Sequence, residues 1–157
     1  MRLTTTTALL LMLAAPALSA QVTAAAHAPT PPDIKWGPAP AVFPAGAQMA
    51  VMHGDPGGTG LFTVRLRFPD GYKLPSHTHP TDEHVTVVSG TLHVGMGAKF
   101  ETKGMMALGA GGYLVAPANH PHYVRAQGET VVQVHAMGPF ALTYVNAADA
   151  PRAGAAR

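Results

Sequence analysis

From Leu61 to Phe68 the chain alternates, with apolar Phe62, Val64, Leu66 and Phe68 separated by Thr63, Arg65 and Arg67. Successive side chains of a strand point to opposite faces, so this pattern predicts a half-buried β-strand. Shorter runs of the same kind predict strands at Met49 to Met52, His84 to Val88, Thr91 to Met96, Tyr113 to Ala116, His122 to Arg125, Thr130 to Met137 and Phe140 to Val145. Turn residues stand between them: Gly54-Asp55-Pro56-Gly57-Gly58, Pro69-Asp70-Gly71, Ser89-Gly90, Gly109 to Gly112 and Gln127-Gly128. No segment carries a convincing helical period and no internal repeat is visible. Many short strands with regular turns predict an all-β sandwich or barrel.

The flanks differ. Residues 1–20 run from Met1-Arg2 through a Thr-rich stretch and the apolar Ala8 to Ala15 to a small-residue end, Ala17-Leu18-Ser19-Ala20. This is the pattern of a Sec-type signal peptide cleaved after Ala20, and it predicts a periplasmic or secreted protein. The apolar stretch is well short of the ~20 residues a membrane-crossing helix needs, so no membrane span is expected in the mature chain. Residues 21–46 form a Pro/Ala-rich arm or linker, whose Trp36 and Phe43 should lie against the domain or a second subunit. Residues 47–145 make one barrel domain, and 146–157 a loose C-terminal tail. The arm and an open barrel edge would suit pairing into a homodimer.

A chain of 157 residues has room for one domain with a real core. Its net charge is +2 and its basic residues are scattered, which argues against a nucleic-acid partner. It contains no cysteine, so neither disulfides nor a thiolate site is available, and any metal must be held by nitrogen and oxygen.

Nine histidines make the candidate chemistry. In His77-Thr78-His79, residues two apart on a strand share a face at about 6.5 Å along the backbone, so both imidazoles can converge on one ion about 2.1 Å from each nitrogen. Pro80-Thr81-Asp82 would turn the chain and return the Glu83 carboxylate to the same point. His122 opens a later strand after Pro117 and Pro121, with His120 as the alternative ligand if that turn shifts. His84 should face away from Glu83, and His93 and His135 lie on strands whose inward face is ambiguous. Ordinary hydrogen-bonded strand histidines are the reading for these three. His27 in the arm and His53 beside the Gly-rich turn receive no role. Lys73 could reach the barrel mouth and meet an anionic substrate, against the plainer reading of a solvated turn lysine. Met105 and Met106 read as apolar packing.

At this point the sequence resembles the cupin superfamily. Its first motif is matched at every fixed position by Gly71, His77, His79, Glu83 and Gly90, and its second by Gly111, Pro117 and His122. Two positions depart. Asn119 replaces a turn glycine, which is mild because Asn tolerates the left-handed conformation, and Ala126 stands where a closing Asn is usual. The resemblance is to small exported single-domain bacterial cupins. It implies an antiparallel jelly-roll β-barrel holding a divalent metal ion on His77, His79, Glu83 and His122.

Such a ligand set accepts iron, manganese, nickel, cobalt or zinc. It leaves two positions open on a six-coordinate ion and closes a tetrahedral zinc. The resemblance implies a metal-dependent dioxygenase, isomerase or lyase acting on a small organic molecule, with Glu83 as ligand or as a base after detaching. The alternative is a non-catalytic metal- or small-ligand-binding or sensing module. A wet mouth lined by polar groups would favour catalysis, and a barrel filled by Val85, Val87, Leu92 and Val94 would favour a structural or sensing role.

Overall fold

The computed structural model describes residues 28–152. The leader segment and His27 lie outside the described residues, as do 153–157. The strands are β1 (Gly37–Pro38), β2 (Gln48–His53), β3 (Leu61–Phe68), β4 (Lys73–Thr78), β5 (Glu83–Met96), β6 (Met106–Gly109), β7 (Tyr113–Ala116), β8 (His122–Met137) and β9 (Thr143–Tyr144). Every pairing is antiparallel. One path runs β1-β2-β3-β8-β4-β9, and β5 joins it through β8 while also pairing with β6 and β7. The protein is an all-β barrel made by curling one antiparallel sheet.

Two long strands account for the curl. The sequence pattern divides β5 at Ser89-Gly90 and β8 at Gln127-Gly128, because turn residues interrupt the alternation there. Each proves to be a single strand that bends. The β5–β8 register shifts between Val87 and Ser89 and again between Ser89 and Thr91, so bulges steer both strands from one layer to the other. Gly90 has φ of 78°, and a Cβ there would meet Thr130 Oγ1 at 2.7 Å. Only glycine fits that crossing.

Three strands escape the sequence pattern, the two-residue β1 in the arm being one of them. In β4, Leu74-Pro75-Ser76-His77 does not alternate, because the register shifts between Leu74 and His77 around a proline that cannot donate to the ladder. In β6, Met106 is 52% exposed at the rim, so packing is not its role. Conversely, only Thr143–Tyr144 of the expected Phe140 to Val145 strand is paired.

The interior is filled from β3, β5 and β8. Phe62, Val64, Leu66 and Phe68 are buried as their alternation requires, and so are Val85, Val87, Leu92, Val94, Val132 and Val134. Each such burial contributes roughly 1.5–3 kcal/mol before entropy is counted. The arm adds to this core. β1 pairs with the β2 edge, Trp36 covers the Arg67 guanidinium at 4.1 Å, and Phe43 is buried. The Tyr72 and Tyr144 hydroxyls donate to the Pro44 and Val42 carbonyls at 2.9 and 2.7 Å, which ties the 42–44 segment to the barrel. After β9, Asn146 caps a short 3₁₀ turn at Ala147–Asp149. No described helix is long and apolar enough to cross a membrane.

Candidate metal centre

Three strands deliver the candidate ligands. His77 lies in β4 with His79 just beyond its end, Glu83 opens β5, and His122 opens β8. His77 and His122 are direct cross-strand partners. The sharp turn before His122 is made by Asn119, whose φ of 58° is the left-handed conformation expected of it. All four side chains are buried. One nitrogen from each of His77, His79 and His122 lies within 4.8 Å of the others, and Glu83 Oε2 is 3.4 Å from His122 Nε2 and 3.7 Å from His79 Nε2.

The outer ring nitrogens are already committed. Nδ1 of His77 donates to the Pro75 carbonyl at 2.7 Å, Nδ1 of His79 to the Ala141 carbonyl at 2.7 Å, and Nδ1 of His122 to the His120 carbonyl at 3.1 Å. A backbone carbonyl only accepts, so each Nδ1 carries the proton and each Nε2 presents a lone pair inward. Nε2 of His79 and of His122 are buried without a hydrogen-bond partner. Leaving such atoms unpaired is costly, and a cation on the Nε2 side removes the cost. The donor set therefore fits a divalent ion.

Charge within the cluster points the same way. Burial, reinforced by His122 and His79 nearby, pushes the His77 imidazole down to about 3. Burial also lowers His79. Burial alone would raise Glu83, but the His122 and His79 imidazoles outweigh it and hold the carboxyl below its usual range. His122 is raised, since its contact with Glu83 overcomes burial. The cluster thus favours an ionised carboxylate and keeps His77 and His79 neutral, while His122 is the imidazole whose charge Glu83 supports.

Around the ligands is a cavity of about 30 Å³, walled almost entirely by apolar groups such as Phe43, Leu74, Val134 and Leu142. That is room for about one water. Phe140 stacks on the His79 ring at 4.6 Å and 14°, and the next carbonyl, Ala141, holds His79 Nδ1. The segment from Phe140 to Leu142 is thus both wall and ligand support. The sequence gives no sign of this, because these residues read as part of a strand.

The remaining expectations resolve individually. His120 is exposed and offers only its carbonyl, so His122 is the residue in register. Lys73 is not brought to the site. It is the exposed first residue of β4, with Nζ 5.8 Å above the Phe100 ring, because strand alternation turns Leu74 inward and Lys73 outward. His84, His93 and His135 all face away from the interior and make side-chain hydrogen bonds, to Tyr113, Gln127 and Thr63.

Residues 64–138 match the family model of the cupin domain. These residues form a cupin domain. No curated protein matches it. Among solved structures, this cupin resembles the polyketide cyclase RemF from Streptomyces resistomycificus, with a TM-score of 0.62 and 16% identity over 76% of this chain and 85% of that one. A candidate acetylacetone dioxygenase from Methylibium petroleiphilum gives 0.61 and 22% identity over 83% and 89%. An RmlC-like cupin from Shewanella frigidimarina gives 0.57 and 16% over 72% and 91%. At these identities the likeness speaks for the fold, and the case for chemistry rests on the cluster of histidines itself.

Proposed function

We propose that this cupin holds one divalent metal ion on His77, His79, Glu83 and His122 and uses it to bind and transform a small organic molecule through adjacent oxygen atoms. The observation that carries the reading is the convergence of three buried imidazoles whose Nδ1 atoms are all spent on backbone carbonyls. Iron, manganese, nickel, cobalt and zinc all suit nitrogen and carboxylate donors. Such an ion supplies Lewis-acid polarisation of a bound oxygen.

The chain's own residues supply the rest. The three histidines fix the geometry, and Glu83 closes the set or, released, takes a proton from the bound molecule. Apolar walls limit access of water, and a molecule larger than a water needs more room than the present cavity of about 30 Å³ offers. Dioxygenase, isomerase and lyase chemistry all fit these parts. The structural neighbours named as a cyclase and a candidate dioxygenase lend support at the level of fold. The leader-like first twenty residues support action outside the cytoplasm, with cleavage after Ala20.

One observation favours a second reading. Val85, Val87, Leu92 and Val94 fill the barrel and, among the described residues, the polar groups lining its cavity are the candidate ligands alone, as a non-catalytic binding or sensing module would have it.

One experiment separates these. The mature chain from Gln21 onward, purified from the periplasm without chelator or affinity tag, is expected to carry about one metal ion per chain, lost in His77→Ala and in His122→Ala. A wild-type chain without metal overturns the proposal. The loaded protein is then offered small oxygen-bearing molecules under air and under argon. Turnover supports the enzyme, whereas tight binding without turnover establishes the sensing module.

A further inference from the structure

Glu83 and His84 are consecutive residues of β5, so one points inward and the other outward. On the outer face His84 is the direct cross-strand partner of His135 on β8. Side chains opposed in this way have Cβ atoms about 4.5–5.5 Å apart, which lets two imidazoles close on one cation. Both histidines line an open groove of about 350 Å³, together with Asp82, Met137, Thr81 and Leu61.

The surroundings resemble those of the interior ligands in one respect. Nδ1 of His84 is 2.6 Å from the Tyr113 hydroxyl, and Nδ1 of His135 is 3.3 Å from the Thr63 hydroxyl. A hydroxyl oxygen can accept as well as donate, so each Nδ1 can carry the proton and leave Nε2 free. Asp82 Oδ1 accepts from the Ala118 N–H at 2.7 Å, which anchors the carboxylate at the groove and leaves Oδ2. Met137 is half exposed and adds a thioether.

We propose that this groove is a second metal site, on the outside of the barrel, in which His84 and His135 bind copper(II), with the Asp82 carboxylate and the Met137 thioether lining the same groove. Copper(II) is the choice because imidazole nitrogens favour it over the other divalent ions of its row. The groove shares no ligand with the interior centre. The proposal therefore stands whether or not the interior holds metal.

The test uses the untagged mature chain carrying His77→Ala and His122→Ala, so that the interior centre is disabled and only the outer face is read. Copper(II) sulfate is titrated in and followed by calorimetry and electron paramagnetic resonance. About one ion per chain is expected, with hyperfine structure from two imidazole nitrogens, and adding His135→Ala should weaken binding at least ~10-fold. His84→Gln, a second route that keeps a polar strand residue, should do the same with the circular dichroism unchanged. No binding, or equal affinity with and without His135, overturns the proposal. So does copper lost instead in His93→Ala or His53→Ala.

Discussion

Gly95 is expected to be among the least replaceable residues outside the metal cluster, although nothing in its sequence context marks it. It sits opposite Tyr123 on β8, next to the pairing of Met96 with His122. A Cβ at Gly95 would fall within the Tyr123 ring, against Cε2, Cζ and the hydroxyl. Tyr123 is 5% exposed and its ring also meets Phe100 at 5.0 Å. In Gly95→Ala something must give. If the ring is expelled, an aromatic side chain that buries about 150–250 Å² returns to water, which at about 25 cal/mol per Å² costs at most about 4–6 kcal/mol. If the strands part instead, overpacking costs about 1–3 kcal/mol. The expected loss is about 2–4 kcal/mol, a large share of the 5–15 kcal/mol typical of a domain. Urea unfolding measures it. Gly109→Ala is the control, since nothing lies within 4 Å of a Cβ there, and it should stay within about 0.5 kcal/mol. The decisive comparison is the cycle with Tyr123→Ala, in which the Gly95→Ala penalty should fall below about 1 kcal/mol. An equal penalty in both backgrounds would refute the clash as its cause.

Two further predictions concern the site and the arm. Phe140→Ala removes the ring stacked on His79 and loosens the segment whose Ala141 carbonyl orients it, so zinc affinity measured by chelator competition should fall at least ~10-fold, the usual effect of losing a ligand's support. Unchanged affinity would show that the wall does not position the ligand. Burial pushes the Tyr144 hydroxyl from 10.0 up to about 12 and raises Tyr72 further. A raised folded-state value means stability that is complete below pH 10 and lost as pH climbs through the folded value, because the unfolded chain releases its phenolic protons first. Denaturant midpoints should therefore drop between about pH 9 and pH 12, and Tyr72→Phe should flatten the drop. A midpoint in the wild-type chain that ignores this range would sink the assignment.

Legibility in the sequence followed the physics of each element. β3 is readable because all its inward residues are large and its outward ones, past Leu61, are polar, and β7 because it is short and unbroken. β4 is not, since a proline and a register shift erase the period over the very residues that lead to His77. β5 and β8 each read as two halves, because a residue that bends a strand and a residue that ends it look alike without the partner strand. The candidate ligands are legible through spacing and family resemblance, whereas Phe140 and Ala141 act by a stacked ring and a carbonyl that only tertiary structure brings to His79. Gly95 was silent for the same reason, its cause being a tyrosine on another strand.

The strand period that made the ligands readable also sets what the protein cannot tolerate. Slipping β5 by one residue would exchange Glu83 for His84 at the interior and move Val85 and Val87 to water. Such a slip would put another imidazole beside the three already there and remove the carboxylate whose charge a divalent ion needs. Buried valines on one side and the His84–Tyr113 hydrogen bond on the other resist it in opposite ways, one by apolar area and the other by a polar contact that exists in a single register. The bulges at Ser89 confine any irregularity to the crossing between layers, where Gly90 absorbs it, and leave the first turnless stretch of β5 in strict alternation. Placing the irregularity there lets a curled sheet close while the strand end that carries Glu83 keeps its phase, so curvature and ligand geometry are satisfied by different segments of one strand.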